Sequence, residues 1–391
     1  TDVNNDTHPD LVIATGGNEY YGADEHLLPL LYLNDGKGNL TRKTDAFKDI
    51  DITQSVILAH DWNGDGAVDL FIGGRTVPWN YGAIPRSYLL QNNGTGKFTD
   101  VTESFCKELM MPGMVTHASL TDINKDGLFD LLLSFEWGGI DVFINKKNQF
   151  TRQSISSQSG LWSNVIAFDA DDDGDLDVLA TNFGTNTKLQ PTAVQPVKLY
   201  HYDFDGNGRN EQILTYYLNR NEIPFATKMD LEKQMPSLKK KFLYAADFAK
   251  ASLNNLLGTD KLKQAHLLTA TQFAHCLFIN NNGTFQPKEL PWQTQLNNYR
   301  TSAIIDANGD ALPDVLLLGN YFDNNVQIGR QDGEFGTILI NYGNGEFIYS
   351  SFSGFVDVKQ VRKIQRVRIN KKEAFILARN NTSAAIIEIK R

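Results

Sequence analysis

The segment "DWNGDGAVDLFIGG", residues 61–74, places three aspartates and an asparagine within nine residues and then continues as an apolar strand. Asp61, Asn63, Asp65 and Asp69 stand at positions 1, 3, 5 and 9 of the segment, so alternate side chains of a tight turn converge on one point. All four offer oxygen, the ligand atom that calcium prefers in proteins. The spacing therefore predicts a calcium loop, completed by the backbone carbonyl of position 7 and by water.

The same segment recurs along the chain, starting again at Asp2, Asp122, Asp169, Asp203 and Asp306. This recurrence indicates a repeat architecture with a unit of roughly fifty to sixty residues and one insertion before the last copy. Calcium is the predicted cofactor, at five or six sites, one per acidic loop. Counting positions 1, 3, 5, 7 and 9 of every copy, the predicted metal residues are Asp2, Asn4, Asp6, His8, Asp10, Asp61, Asn63, Asp65, Ala67, Asp69, Asp122, Asn124, Asp126, Leu128, Asp130, Asp169, Asp171, Asp173, Asp175, Asp177, Asp203, Asp205, Asn207, Arg209, Glu211, Asp306, Asn308, Asp310, Leu312 and Asp314.

Most acidic loops are followed by a second element, a short apolar strand, an Asn/Gly turn and another strand, which is hairpin chemistry. Its copies are "LYLNDGKGNLT", "YLLQNNGTGKFT", "VFINKKNQFT", "LFINNNGTFQ" and "LINYGNGEFI". A unit thus contains four antiparallel strands, which predicts an all-β fold, a β-propeller within a single domain of residues 1–391. Seven blades are favoured, including a degenerate last blade from Val361. Six is the alternative, depending on whether the Asp203 loop opens a blade or joins the outer strands of one.

The repeat pattern is interrupted at residues 225–264, where Leu, Lys, Ala and Glu are frequent. Apolar residues at helical spacing and a dividing Pro236 predict two short helices that project from the propeller as an insertion. The spaced apolar residues are Phe242, Ala246, Ala249, Leu253 and Leu256. The run Lys239–Lys241 is interpreted as a solvated helix face, and docking of a partner or an anionic surface is the alternative.

The acidic loops differ in ways that predict different affinities. The Asp169 loop carries carboxylates at positions 1, 3, 5 and 9 and is expected to bind calcium most tightly. The Asp203 loop has Asn207 at position 5 and Glu211 at position 9, so it is expected to be altered or empty. Thr7 and Ala311 stand where the other loops have glycine, which predicts binding at some conformational cost.

Other interpretations of these loops are weaker. A solvated turn does not require the recurrent 1-3-5-9 spacing, and catalytic carboxylates are expected once in a cleft rather than in every repeat. Magnesium demands stricter octahedral geometry, and an EF-hand needs a glutamate at position 12, where the first segment has Ile72. Six bound divalent cations would add more positive charge than the formal net charge of −9. The net negative charge is therefore a property of the protein with metal-free loops.

At these residues the sequence resembles the FG-GAP/VCBS-repeat proteins, whose calcium-loop propellers include the head of integrin α-subunits. The wider chain is similar to the C-terminal propeller of large VCBS-repeat proteins of Bacteroidetes that also carry an ASPIC/UnbV domain. "RTVPWNYGAIPRSYLLQN", "DFDGNGRNEQILTYYL" and "MPSLKKKF" carry this closer match. The resemblance implies an exported, outer-membrane-associated or cell-surface lipoprotein that accompanies SusC/SusD-type uptake systems. The chain is then expected to be the C-terminal part of a longer polypeptide.

Residues outside the loops offer little catalytic chemistry. The sequence lacks H-E-x-x-H, G-x-S-x-G, P-loop and dinucleotide motifs, and no apolar run reaches membrane-spanning length. His60 and His117 are interpreted as structural. The five tryptophans are mostly expected in the core, with Trp79 the best candidate for an exposed position that binds sugar. Cys106 and Cys276 are predicted to be separate buried thiols, with one disulfide as the alternative.

These observations favour a non-catalytic binding or scaffold module with a protein or glycan partner, and they do not favour nucleic acid. The protein partners would lie at the cell surface, with a TonB-dependent outer-membrane transporter complex as the family-level expectation. Two other classes are retained, a polysaccharide lyase or hydrolase built on a calcium propeller and an integrin-like adhesin.

Overall fold

The computed structural model describes residues 1–351 and 359–388. Within this part the chain forms seven antiparallel sheets joined by turns and loops. The predicted last blade extends to residue 391, so its final three residues lie outside the described part. The all-β prediction is confirmed, and the fold is of the β-propeller type.

The first two sheets lie within residues 11–100. Their strands are β1 (Leu11–Ile13), β2 (Leu30–Asn34), β3 (Leu40–Arg42), then β4 (Thr53–His60), β5 (Asp69–Thr76), β6 (Tyr88–Asn92) and β7 (Phe98–Asp100). Strands follow chain order within each sheet, β1-β2-β3 and β4-β5-β6-β7. The hairpins predicted from the Asn/Gly turns are therefore present as β2–β3 and β6–β7.

Three further sheets occupy the middle of the chain. Their strands are β8 (Met114–Thr121), β9 (Asp130–Asn145), β10 (Phe150–Leu161), β11 (Asn164–Phe168), β12 (Asp177–Thr181), β13 (Val197–Tyr202), β14 (Glu211–Leu218), β15 (Asn221–Pro224), β16 (His266–Ala270), β17 (Cys276–Asn281) and β18 (Thr284–Glu289). Their orders are β10-β9-β8, β11-β12-β17-β18 and β15-β14-β13-β16.

The remaining two sheets close the described chain. Their strands are β19 (Tyr299–Ile305), β20 (Asp314–Gly319), β21 (Thr337–Asn341), β22 (Phe347–Ser351), β23 (Val361–Ile369), β24 (Lys372–Arg379) and β25 (Ala385–Ile387). The last sheet has the predicted strand rhythm without an acidic loop, since the short turn at Asn370 and Lys371 joins β23 to β24.

Strand β9 departs from the four-strand pattern. It runs through both the second strand of its unit and the hairpin strand, with Trp137 at φ +61° between them. The Asn145 backbone N–H donates to Asp130 Oδ1 at 2.8 Å, although these residues stand at opposite ends of β9. A straight strand of this length would hold its ends about 50 Å apart. The chain therefore folds back on itself near Trp137.

The Asp203 loop opens a sheet of its own. It connects β13 to β14, and these two strands pair with β16 and β15 in a four-stranded sheet. This sheet is inserted between β12 and β17, which are paired neighbours in another sheet. Residues 1–351 and 359–388 thus form seven sheets, of which six follow one another along the chain and the β13–β16 sheet is inserted.

Helices are few and short. They are α1 (Thr102–Phe105), α2 (Lys228–Gln234), α3 (Ser237–Lys241), α4 (Ala245–Lys250), α5 (Leu253–Leu257) and α6 (Thr259–Gln264), with 3-10 turns at Glu25–Leu27, Lys107–Leu109 and Trp292–Leu296. The predicted insertion is therefore helical but contains five short helices rather than two. Pro236, the N-cap Ser252 and Gly258 at φ +90° divide it.

The insertion is docked on the β13–β16 sheet instead of projecting freely. Leu231, Met235 and Leu238 are buried there, together with Leu256 and Leu257, against side chains of β13 and β14. Two residues of the predicted apolar spacing, Ala246 and Ala249, are exposed. The breaks between the helices change the direction in which successive helical turns present their side chains. A single continuous apolar face therefore does not form.

Apolar clusters hold successive sheets together. Leu31 and Ile72 share one cluster, Phe71 and Leu133 the next, and the same arrangement continues to β23–β25. Fully buried Trp62 and Trp162 belong to two of these clusters, as do the buried free thiols of Cys106 and Cys276. The prediction of separate buried thiols is confirmed. Among the described residues, no helix has the length and apolarity needed to cross a bilayer.

Candidate metal centres

Five of the six acidic loops close the gap between two paired strands, and the Asp2 loop instead precedes β1 directly. In the β4–β5 pair His60 lies opposite Asp69, and the register is the same at Thr121 and Asp130. Position 9 is therefore the first residue of the second strand. The two strand ends that the loop joins are therefore the same distance apart in these copies, which favours the same loop geometry in each.

Position 1 organises the turn through backbone hydrogen bonds. Asp61 accepts from the N–H groups of Gly64 at 2.8 Å, Asp65 at 3.1 Å and Gly66 at 2.9 Å. Asp203 accepts in the same way from the corresponding groups of its own loop. This is an Asx-type turn, in which a short carboxylate satisfies the amides of a tight bend.

Position 6 adopts a left-handed backbone in every loop. Four loops have glycine there, for example Gly66 at φ +88° and Gly174 at φ +92°. Thr7 at φ +70° and Ala311 at φ +69° take the same conformation with a side chain. Left-handed backbone costs an L-residue about 1–2 kcal/mol. The geometry therefore shows the conformational cost expected for these two loops.

Position 9 is buried in every loop, and in the five loops where it is aspartate its carboxylate accepts hydrogen bonds on both oxygens. Asp177 accepts the Ala170 N–H at 2.8 Å on Oδ2 and the Asn280 N–H at 2.8 Å on Oδ1. Burial is the main cause that raises the pKa of Asp69, Asp130 and Asp177 to about 6, against the lowering effect of these hydrogen bonds. Each is a carboxyl group with little access to water, and a neighbouring cation would stabilise its charged form.

In five loops the position-9 carboxylate accepts the backbone N–H of an asparagine in the following hairpin. The sequence pattern assigns this asparagine only to the hairpin turn. Its side chain also donates to the carbonyl of loop position 8, as Asn92 does to Val68 at 3.0 Å and Asn280 to Leu176 at 3.1 Å. The signal was present, since the same residue ends the first strand of every quoted hairpin. The five copies are Asn34, Asn92, Asn145, Asn280 and Asn341.

Three carboxylates converge in two of the loops. One oxygen each from Asp169, Asp171 and Asp177 lie within 4.8 Å of one another, and so do oxygens from Asp203, Asp205 and Glu211. The Asp169 loop thus has the convergence expected of the tightest site. The Asp203 loop, expected to be altered or empty, has it too, because the longer Glu211 side chain reaches the position that Asp177 occupies. The loop with Asn207 and Glu211 therefore keeps a calcium-type donor set.

The other four loops have asparagine at position 3. There the amide donates to the carboxylate of position 5, as Asn63 does to Asp65 at 2.8 Å and Asn308 to Asp310 at 2.7 Å. Asn4 and Asn124 make the same contact in their loops. Each such loop still offers the carboxylates of positions 1, 5 and 9 and one amide oxygen.

At position 7 the backbone N–H donates to the side-chain oxygen of position 5 in every loop, whereas the position-7 carbonyl ligand stays a prediction. The N–H of Ala67 donates to Asp65 at 2.8 Å, and His8, Leu128, Asp175, Arg209 and Leu312 do the same in their loops. The Asp175 carboxylate pairs at 2.9 Å with Lys125 of the neighbouring loop. Adjacent loops are therefore tied to each other at the surface.

The donor chemistry fits calcium. Carboxylate, amide and carbonyl oxygens form the set in every loop, and the described loops contribute no thiol or imidazole at positions 1, 3, 5 or 9. Hard oxygen ligands in a flexible loop suit calcium better than zinc or copper.

The histidines named from sequence have structural surroundings. Burial lowers the pKa of His60, whose ring packs edge-on against Trp62 and Phe129. His117 accepts the Val165 N–H at 3.4 Å and lies 3.2 Å from Lys363 Nζ. Burial and this lysine lower the pKa of His117 to about 3, so its ring is neutral.

The tryptophans divide as expected between core and surface. Trp62, Trp137 and Trp162 are buried, whereas Trp79 is 64% and Trp292 69% exposed. Trp79 has φ +64°, and its ring lies 5.7 Å from that of Tyr21, which is 68% exposed. The loop around Trp79 therefore presents two aromatic rings to solvent.

A family profile described as FG-GAP-like repeat matches three overlapping segments, residues 2–72, 61–133 and 122–180. Residues 2–180 carry FG-GAP-like repeats. Each match begins at an acidic loop and ends just beyond the next one, so the Asp61 and Asp122 loops belong to two repeats each. FG-GAP-like repeats are typical of extracellular or surface-exposed proteins and often bind calcium. The Asp203 and Asp306 loops lie beyond the matched segments.

Solved structures give only distant likenesses. Two crystal structures of BBS1N in complex with ARL6DN, soaked with lead or mercury, are 8% identical, with TM-scores of 0.34 and 0.36 over 93% of this chain and 88% of theirs. The V. cholerae biofilm matrix protein Bap1 is 9% identical, with a TM-score of 0.31 over 97% of this chain and 76% of its own. No curated protein matches the chain.

Proposed function

We propose that this protein is a non-catalytic, calcium-binding β-propeller that acts as a binding or scaffold module outside the cytoplasm. Its acidic loops hold up to six calcium ions, and its remaining surface receives a protein partner. The observation that carries the proposal is the repeated loop geometry, in which position 1 orders the turn and position 9 ties it to two strands.

The loops act on the fold through their own residues. The position-9 carboxylate links the start of the loop to the hairpin strand, as Asp177 links Ala170 to Asn280. A bound calcium ion supplies positive charge that offsets the negative charges of the converging carboxylates. Calcium occupancy then stabilises the folded state by mass action, because the unfolded chain holds no such site.

The partner surface that we propose is the helical insertion. Lys239 and Lys240 are exposed on α3, next to Lys241, whose ammonium group contacts the Asn255 carbonyl. This basic run stands on a chain with a net charge of −9 and is well placed to meet an acidic surface. The resemblance to VCBS-repeat proteins supports a surface partner at the outer membrane, in a TonB-dependent SusC/SusD-type complex.

The experiment is a pull-down from native membranes with the calcium-loaded protein. Deleting the whole insertion would uncover Tyr200 and Ile213, so charge reversal of Lys239 and Lys240 to glutamate is the cleaner change. A matched control reverses Lys146 and Lys147, an exposed pair on the β9–β10 turn. The proposal predicts that only the first variant loses its partner while both keep the wild-type melting temperature. Equal capture by all three proteins would contradict the assignment of this surface.

A glycan partner is a second candidate, favoured by the exposed ring pair Trp79 and Tyr21. Aromatic faces bind sugar rings through their apolar side. Trp79→Ala is expected to abolish retention on a glycan array, whereas Trp292→Ala, at a similarly exposed tryptophan, is expected to retain it. Equal retention by both variants would exclude this platform.

A further inference from the structure

A cavity of about 300 Å³ is lined by residues of several strands. Arg75 stands near the end of β5, whose first residue, Asp69, belongs to a loop. Arg300 stands near the start of β19, whose last residue leads into the Asp306 loop. Both line the cavity, together with Glu136 of β9 and residues of the inserted β13–β16 sheet. Several sheets therefore build this cavity. Arg75 and Arg300 enter it from strand ends remote from the acidic loops, whereas Gln212 directly follows position 9 of the Asp203 loop.

Within the described part of the chain, one arginine of the cavity forms no ion pair. Arg75 pairs with Glu136, and Arg362 Nη2 lies 3.9 Å from the Asp323 carboxylate. Arg300 makes no hydrogen bond or ion pair within residues 1–351 and 359–388, and its Nε is buried without a partner. Its guanidinium carbon lies 4.6 Å from the centre of the Tyr321 ring. The ring orients the guanidinium but does not neutralise it.

The surroundings of Arg300 act against its charge. Burial is the largest cause, followed by the charges of Arg362 and Arg75, and together they lower its pKa to about 10. The group is still protonated at neutral pH. A buried charge without a partner is costly, and an anion placed against it removes much of that cost. On a chain of net charge −9, this positive cavity is a local feature.

Unpartnered amides line the same cavity. Asn298 Oδ1 and Asn324 Nδ2 are buried without a hydrogen-bond partner, so the wall offers an acceptor and a donor beside the guanidinium. Ring surfaces complete the wall. Trp137 donates from Nε1 to the Tyr81 hydroxyl at 2.7 Å, which fixes both rings. Polar groups at fixed places on a largely aromatic wall are typical of a small-molecule site.

We propose that this cavity binds a small carboxylate of the sugar-acid class. The carboxylate lies on Arg300, which can offer it two parallel N–H donors, and the hydroxyl groups of the ligand meet Asn298 and Asn324. The cavity volume is at the lower end of small-molecule sites, which suits one monosaccharide rather than a chain. This site is separate from the calcium loops and from the surface of the helical insertion.

The test uses two probes that differ at one carbon. D-galacturonate carries a carboxylate where D-galactose carries a hydroxymethyl group. Isothermal titration calorimetry of the calcium-loaded protein is expected to show one galacturonate per chain and at least tenfold weaker binding of galactose. Inorganic phosphate forms a third arm, because a guanidinium also attracts small inorganic anions.

Two variants locate the ligand. Arg300→Met is expected to weaken galacturonate binding at least about 30-fold, since it removes one partner of a buried charge pair. The same change should raise the melting temperature of the ligand-free protein, because it removes a partly buried charge that has no ion-pair partner among the described residues. Asn324→Ala is expected to weaken binding about 3- to 10-fold through one lost hydrogen bond. Arg42→Gln, at an exposed arginine of β3, is the matched control.

Three results would overturn the proposal. They are the absence of galacturonate binding, equal binding of galactose, and tighter binding of phosphate than of galacturonate. Unchanged galacturonate affinity in both Arg300→Met and Asn324→Ala would also overturn it. Failure of the calcium-dependent functions would leave these outcomes unaffected, since Asn298, Arg300 and Asn324 lie outside the acidic loops.

Discussion

At the scale of single residues, the loop backbone is the first point that can be tested. Ala311 holds φ +69° where four other loops have glycine. Ala311→Gly is expected to stabilise the protein by about 1 kcal/mol, because glycine adopts this conformation without the steric cost of a side chain. Urea unfolding in saturating calcium measures the change.

Gly127→Ala is the reverse substitution at the same loop position, where φ is +84°. It should lower the free energy of unfolding by a similar amount. No space-filling effect complicates this control, since no atom beyond its chain neighbours lies within 4 Å of an added Cβ there. The two variants must therefore change the free energy of unfolding in opposite directions. A stabilising effect of both would contradict the strain argument.

A buried histidine gives a pH-dependent prediction. His275 accepts the Asn182 N–H at 2.7 Å on Nδ1 and lies 2.8 Å from the Asn297 carbonyl through Nε2, so its ring is neutral. Burial lowers its pKa to about 4 from 6.5. Its contribution to stability is therefore complete above pH 6.5 and is lost as the pH falls towards 4.

His275→Gln should reduce that loss. Between pH 7 and pH 4 the stability advantage of the wild type over the variant is expected to shrink by about 3 kcal/mol. Denaturant unfolding at both pH values measures it, and His266→Gln, at an exposed histidine, controls for the substitution itself. A constant difference between wild type and His275→Gln at the two pH values would contradict a buried neutral ring.

At the scale of elements, sequence periodicity predicted strands better than helices. Alternating apolar residues and Asn/Gly turns predicted the hairpins because these signals are local. The insertion was predicted as helical, but its division into five helices and its docking on β13–β16 depend on contacts with residues distant in sequence. The hairpin asparagines were seen as turn residues. Their bonds to positions 8 and 9 link parts of a blade that only the folded chain brings together.

The docking of the insertion is testable with one leucine pair. Leu256→Ala removes a buried side chain that packs against the β13–β16 sheet, and a loss of about 2–5 kcal/mol is expected. Leu243→Ala removes the same atoms from a leucine that is 73% exposed and should change stability by less than about 0.5 kcal/mol. Equal effects in chemical unfolding would show that the insertion is not part of the folded core.

At the scale of the whole molecule, the spacing of the acidic loops was the most informative feature of the sequence. It predicted the repeat, the all-β fold and the position of each loop between two paired strands. The cavity around Arg300 was not predictable, because its residues come from separate repeats that only the folded chain brings together. Nor was the inserted sheet, since chain order does not reveal that β12 and β17 pair across it.

The central claim is that the acidic loops bind calcium and thereby stabilise the propeller. Native mass spectrometry of chelator-treated protein, titrated with calcium, counts the ions, and thermal unfolding of the same samples measures their effect. We expect five or six ions per chain and a rise in melting temperature that EGTA reverses and magnesium does not reproduce. A chain that takes up no calcium, or whose melting temperature is the same with calcium and with EGTA, would contradict it.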